Sequence, residues 1–194
     1  MKKEKQIYYI YLALMFIFSV SIIAVPFLMF SNEDNAGIYN LFSPLCHQKL
    51  SRSYCLFESE TGYYIDNCTP QEGALVPSDA EQLSSELNGD LGYKFPVCSR
   101  DMGLYLAMFI GAAVYPFIRR IDNRTIPPAV YLILAIIPLA VDGSVQFFSD
   151  LGIIPFVYES TNILRLITGV IAGFAVSIYL IPLLVNLFSD SKTR

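Results

Sequence analysis

Charged residues are scarce in this chain of 194 amino acids: they make up 15% of the sequence, whereas hydrophobic residues make up 54%. This composition excludes an ordinary soluble domain of this size. The chain also lacks a basic stripe, and the long polar segment Leu56–Gly92 is acidic, which excludes a nucleic-acid-binding protein. Finally, the N-terminal apolar run has no convincing small-residue cleavage site and is longer than the roughly 7–15 residues of a signal-peptide core. We therefore expect an uncleaved first membrane helix.

Four apolar stretches are long enough to cross a hydrocarbon core of about 30 Å, which takes about 20 residues of helix. They are Ile7–Phe30, Met102–Ile118, Pro128–Phe148 and Asn162–Phe188. Most lysine and arginine residues fall on one side of this topology: Lys2, Lys3, Lys5, Arg119, Arg120, Arg124, Lys192 and Arg194. Because such residues near span ends mark the cytoplasmic side, we expect an integral protein of the plasma membrane with both termini in the cytoplasm.

The predicted fold is thus all-α, with four transmembrane helices and a long extracytoplasmic loop stabilised by disulfides. Residues 1–30 form the N-terminus and first helix, 31–97 the outer loop or cap, and 98–194 the other three helices with a short cytoplasmic C-terminus. Within the loop, Ser78–Gly89 predicts one short helix, with a capping box at its start and a glycine at its end.

Small residues recur every four positions in the second and fourth spans. Such rows let two helices approach closely, so these two spans are predicted to pack together. The rows are Gly103, Ala107 and Gly111 in the second span and Gly169, Gly173 and Ser177 in the fourth.

Polar residues gather near the outer ends of three spans. Cys98, Arg100 and Asp101 begin the second span, Asp142 and Gln146 share one face of the third, and Asn162 and Arg165 share a face of the fourth. Ionisable residues at such depth are costly and point to function. The topology predicts a single extracytoplasmic cavity, with Cys46, His47 and Arg52 of the loop above it.

Five motifs in order along the chain carry a family resemblance. They are Cys46-His47-Gln48, Arg52-Ser53, Pro96-Val97-Cys98-Ser99-Arg100-Asp101 with Gly103-Leu104-Tyr105, Asp142-Gly143 with Gln146, and Glu159-Ser160-Thr161-Asn162 with Arg165, Thr168 and Gly169. The combination resembles a family of small multispanning membrane proteins of unknown function from archaea and bacteria. Relatives often have cysteine where this chain has Asp101, and a shorter segment before the Pro-Val-Cys motif, so the stretch with Cys55 and Cys68 looks like an insertion.

All four cysteines lie on the predicted outer side, where disulfides persist. Three pairings are possible. The favoured pairing joins Cys55 to Cys68, which would close the inserted loop, and Cys46 to Cys98, which would tie the loop to the second span.

Two other interpretations compete with a Cys46–Cys98 disulfide. The first is a metal site formed by Cys46, His47, Cys98 and Asp101, for which zinc is the candidate ion, because thiolate, imidazole and carboxylate are all zinc ligands. The second is thiol chemistry by Cys98, whose pKa Arg100 and the helix N-terminus would lower, with His47 as base.

The leading functional hypothesis is an outward-facing polar site for a ligand or substrate, such as a lipid, a lipid-linked or head-group substrate, or an anionic small molecule. The pattern does not decide whether it is enzymatic. In an enzyme, Asp101, Asp142 and His47 would be catalytic, while the ligand-binding residues would be Arg52, Arg100, Gln146, Asn162 and Arg165. The alternative is a nonenzymatic interaction or small transport module whose polar cluster is an ion-paired core.

Overall fold

The computed structural model describes residues 3–31, 33–46, 49–70 and 81–189 of the chain. Its long helices are α1 (Lys3–Ser31), α2 (Ser99–Ile118), α3 (Ala129–Asp150) and α4 (Asn162–Ser189). Each contains an apolar window long enough to cross a membrane. These helices confirm the four predicted spans.

The segment between α1 and α2 contains a four-stranded antiparallel sheet, so the all-α prediction is wrong there. Its strands are β1 (Tyr54–Ser59), β2 (Gly62–Asn67), β3 (Ser84–Leu87) and β4 (Asp90–Lys94), in the order β2-β1-β4-β3. Two short 3₁₀ helices, Glu33–Leu41 and Leu50–Arg52, precede the sheet.

The predicted helix Ser78–Gly89 is wrong for its described part, which holds β3 and a hairpin turn. Leu87 pairs with Asp90, leaving Asn88 and Gly89 as a two-residue turn. Both turn residues have positive φ, 54° and 92°, respectively. Asn-Gly favours such turns because both residues tolerate this conformation, so the glycine closes a hairpin and does not end a helix.

The predicted Cys55–Cys68 disulfide is confirmed. It joins β1 to the residue that follows β2, and both cysteines are buried with Leu50 and Phe57 in a small hydrophobic cluster. Gly92 of β4 lies directly under the Phe57 ring, where a Cβ atom would overlap ring carbons. The sheet therefore has a compact core of its own on this face.

The chain divides into two compact units. The first, here called the helical unit, comprises Met1–Ser19, Gly103–Ser160 and Leu164–Arg194. The second, the sheet unit, comprises Val20–Met102 and Thr161–Ile163.

In the helical unit, α2 and α4 pack backbone against backbone. A Cβ atom on Gly103 would overlap the carbonyl oxygen of Leu166, and one on Gly173 would overlap that of Leu104. This confirms the close approach predicted from the small residues. Glycine is required there because the facing atoms are backbone and cannot rotate away.

The start of α1, the 119–128 connection and the end of α4 meet at one end of the helical unit. The Arg124 guanidinium donates to Glu4 at 2.9 Å, and the Asn186 amide donates to the Arg124 carbonyl at 2.9 Å. These contacts bring together the segments that the four-span topology places on a single side.

Candidate functional site

Cys98 is the residue that precedes α2, and Asp101 lies in the first turn of that helix. The Cys98 carbonyl accepts the Met102 N–H at 2.8 Å, as the residue preceding a helix does. A spacing of three residues then brings the two side chains together, and the Cys98 thiol donates to Asp101 Oδ2 at 3.0 Å. A carboxylate is favourable at this position because helix N-termini carry partial positive charge.

Cys46 approaches the same helix start from the loop. The Cys98 backbone N–H donates to the Cys46 sulfur at 3.2 Å. One ligand atom from each of Cys46, Cys98 and Asp101 lies within 4.8 Å of the others, and all three residues are partly buried. The sheet unit thus brings together three of the four residues that the sequence predicts as metal ligands.

The predicted Cys46–Cys98 disulfide is not present. The Cys98 thiol bonds to the Asp101 carboxylate, and the Cys46 sulfur accepts the backbone N–H of Cys98. The prediction that nearby positive charge lowers the pKa of Cys98 is also corrected. The hydrogen bond with Cys46, burial and the Asp101 carboxylate, in that order, raise the pKa of the Cys98 thiol. A protonated thiol is a weak nucleophile, which disfavours thiol catalysis in the metal-free protein.

His47, predicted both as a catalytic base and as a metal ligand, lies outside the described residues, as does Gln48. Both predictions for His47 therefore stay predictions. Arg52 and Arg100, predicted to hold an anionic ligand, are partly exposed in the sheet unit.

Asn162, predicted to bind ligand, connects several segments of the sheet unit. Its amide nitrogen donates to the Ser53 carbonyl at 3.2 Å and to Asn67 Oδ1 at 2.9 Å. Its Oδ1 accepts from the Ser99 hydroxyl at 2.9 Å. Asn162 is buried, and its amide joins the start of α4 to the residue before β1, to the end of β2 and to the start of α2.

The remaining predicted site residues form a hydrogen-bonded group in the helical unit. Arg165, only 2% exposed, donates to Glu159 Oε1 at 2.6 Å, and the Gln146 amide donates to the same oxygen at 3.0 Å. Asp142 accepts from the Tyr158 hydroxyl at 2.8 Å. Buried charges of this kind are tolerated because they are paired and hydrogen-bonded.

Neither Tyr158 nor the role of Glu159 as the ion-pair partner of Arg165 was predicted from the sequence. Glu159 stands in one of the family motifs, but it precedes α4 and lies six residues before Arg165, a spacing that helix geometry does not bring into contact. Tyr158 carries no signal beyond its position beside that motif. The single cavity that would join both groups of residues stays a prediction.

The four apolar helices define the class: this is an integral membrane protein. Residues 91–179 match the family described as predicted membrane protein (DUF2085). An uncharacterised protein of Methanocaldococcus jannaschii is 32% identical over 186 residues, which cover 92% of this chain and 93% of that protein. The chain therefore belongs to this family of membrane proteins of unknown function.

A second relative, an uncharacterised protein of Methanothermobacter thermautotrophicus, is 33% identical over 87 residues, or 45% of this chain and 70% of that protein. No solved structure matches the chain significantly. The family match includes Cys98 and Asp101 but begins after Cys46.

Proposed function

We propose that Cys46, Cys98 and Asp101 bind a thiophilic divalent metal ion, with Zn²⁺ as the best fit, on the extracytoplasmic side of the membrane. The observation that carries this proposal is the mutual distance of their ligand atoms, all within 4.8 Å. Two sulfurs and one carboxylate oxygen are a donor set that suits zinc better than calcium or magnesium, which prefer oxygen alone.

The cluster needs only small movements to close around an ion. Zinc bonds of about 2.3 Å to sulfur and 2.0–2.2 Å to oxygen set neighbouring tetrahedral ligands about 3.5–3.8 Å apart. The present separation of 3.0 Å between Cys98 Sγ and Asp101 Oδ2 would therefore widen by about half an ångström as the shared proton leaves. The Cys98 N–H, already directed at the Cys46 sulfur, would stabilise the charge of a bound thiolate.

Three protein ligands leave a fourth coordination position. In structural zinc sites a fourth residue fills it, whereas in catalytic sites water or substrate does. His47 is the sequence-based candidate for the fourth ligand. Without such a ligand, an open position facing the outer leaflet would suit a lipid-linked, head-group or anionic small-molecule substrate, with Arg52 and Arg100 of the same unit in their predicted ligand-binding roles.

Metal content of the purified full-length protein tests the proposal. The protein is equilibrated with zinc, dialysed and analysed by elemental mass spectrometry, alongside the Cys98→Ser, Asp101→Asn and His47→Ala variants. Asp66→Asn is the matched control, because Asp66 is an exposed carboxylate of β2. We expect about one zinc per chain in the parent and the control, and loss of zinc in Cys98→Ser.

The Asp101→Asn variant should bind zinc more weakly than the parent, since an amide is a poorer zinc ligand than a carboxylate. Loss of zinc in His47→Ala would assign the fourth ligand. Stoichiometric zinc in Cys98→Ser would contradict the proposal. So would a metal-free parent protein whose Cys46 and Cys98 peptides are disulfide-linked in a nonreducing digest.

For the polar group of the helical unit we propose the nonenzymatic alternative, an ion-paired packing core. Two observations support this proposal. The Arg165 guanidinium forms an ion pair with Glu159 Oε1 at 2.6 Å, and Arg165 is only 2% exposed. A ligand clamp would present its guanidinium to the ligand. The free energy of unfolding of the Glu159→Gln variant, compared with that of the parent protein, tests this role.

A further inference from the structure

One face of the sheet lies beside the end of α1. Ile65, Leu56 and Tyr93 are direct partners across β2, β1 and β4, so their side chains share this face. Tyr63 and Leu91 lie two residues away in their strands and therefore point to the same side. These five residues are the large apolar and aromatic members of the face named here the α1-facing face, which also includes Glu58 and Glu86, the direct partners of Leu91.

Aromatic contacts make this face continuous with a membrane-spanning helix. The Phe30 ring lies 5.4 Å from that of Tyr63 and 4.9 Å from that of Tyr93, and the Phe27 ring lies 5.4 Å from Tyr63. α1 has 29 residues, whereas about 20 are enough to cross the hydrocarbon core. Its last residues, Phe27 and Phe30 among them, are therefore expected at the level of the lipid head groups.

The α1-facing face remains partly uncovered. Leu56 and Tyr93 are buried, but Tyr63, Ile65 and Leu91 are 51%, 55% and 45% exposed. Large apolar side chains that are exposed together mark a contact surface. Both faces carry carboxylates: Glu58 and Glu86, both exposed, flank Leu91 on the α1-facing face, and Asp66 of β2 is exposed on the opposite face. Charged groups on the α1-facing face are compatible with the head-group region but not with the hydrocarbon core.

We propose that the α1-facing face lies in the interfacial region of a phospholipid bilayer, so that the sheet is a lipid-contacting platform and not a fully solvated cap. Lipid is the occupant that continuity with α1 indicates, because lipid surrounds the exposed part of that helix. Tyr63 fits this depth: its ring contacts Phe27 and Phe30, while its hydroxyl donates to Glu58 at 3.0 Å. Tyrosine is enriched at membrane interfaces because one end is apolar and the other polar.

The chain contains no tryptophan, so a single introduced tryptophan reports its own surroundings. The full-length Ile65→Trp variant is reconstituted into phosphatidylcholine vesicles. The matched control is Asp66→Trp, which places the tryptophan at the next position of β2, on the opposite face of the sheet. Fluorescence quenching is measured with lipids brominated near the carbonyl end of the acyl chain, with lipids brominated near the methyl end, and with aqueous iodide. An intact Cys55–Cys68 disulfide verifies the fold of each variant, and Leu91→Trp replaces Ile65→Trp if that variant fails this check.

We expect the Ile65→Trp fluorescence to be quenched most by the shallow bromines and protected from iodide. The Asp66→Trp fluorescence should show the reverse. Equal iodide quenching of the two variants would overturn the proposal, since it would place both faces in water. Protection of Ile65→Trp from both bromine and iodide would also overturn it, because protein would then cover the face. Stronger quenching by the deep bromines would place the sheet in the hydrocarbon core and refute an interfacial position.

Discussion

Replacing Gly173 with alanine tests the backbone contact between α2 and α4. The added Cβ would overlap the carbonyl oxygen of Leu104 and lie 2.8 and 2.9 Å from its carbonyl carbon and Cα, about 0.5–0.6 Å inside the 3.4 Å at which ordinary contact begins. The obstructing atoms are backbone, so the helices must separate. Overpacking of this kind costs about 1–3 kcal/mol, and separation also weakens the dispersion contacts along the rest of the interface.

The assay is equilibrium unfolding of the purified protein by SDS in mixed micelles, followed by circular dichroism. Gly37→Ala is the matched control, because it makes the same chemical change where no atom lies within 4 Å of the new methyl group. We expect Gly173→Ala to lower the free energy of unfolding by about 1–3 kcal/mol and Gly37→Ala to leave it nearly unchanged. Equal stability of the two variants would refute the close helix contact.

Three further outcomes are expected. Glu159→Gln should lower the free energy of unfolding by about 1–2 kcal/mol, because Arg165 loses its charged partner. The loss is moderate because the Glu159 side chain is about half exposed to solvent. An unchanged free energy of unfolding would contradict the ion-paired core. Replacing both Cys55 and Cys68 with serine should cost about 3 kcal/mol by freeing a loop with a sequence separation of 13, and unchanged thermal stability would contradict this. In metal-free protein, maleimide alkylation of Cys98 is measured by peptide mass mapping. Alkylation should be slow at pH 7–8 and accelerate only above the usual thiol pKa of 9.0, because the pKa of the folded Cys98 thiol is raised. Rapid labelling at pH 7 would contradict the raised pKa.

The membrane helices could be predicted from the sequence because length and hydropathy alone determine them. The predicted spans, such as Asn162–Phe188, agree closely with the observed helices, such as α4 (Asn162–Ser189). The α2–α4 contact could also be predicted from a local pattern, because small residues every four positions let the backbone of another helix approach closely.

The sheet was missed because short strands carry weak local signals. Ser78, Glu81 and Gly89 fit a capped helix, yet Asn88-Gly89 also fits a two-residue hairpin turn, and strand pairing decided between them. β3 has only four residues, too few for its alternation to outweigh the helix signal.

The residues of the candidate site could be predicted from the sequence, but the contacts between them could not. Cys46 and Cys98 lie 52 residues apart, and spacing alone cannot distinguish a disulfide from two metal ligands. The proximity of Cys98 to Asp101, by contrast, follows from their positions in one helical turn. Partners such as Tyr158 depend on the path of the chain after α3, which no local pattern fixes.

X-ray absorption spectroscopy at the zinc edge is the most direct test of the proposed Cys46, Cys98 and Asp101 zinc site, because it reports the atoms bound to the metal. For zinc-loaded full-length protein, we predict two sulfur ligands at about 2.3 Å and oxygen or nitrogen ligands at about 2.0–2.2 Å. One sulfur should disappear from the shell of any zinc retained by Cys98→Ser. A shell without sulfur in the parent protein, or a parent protein that binds no zinc, would contradict the proposed zinc site.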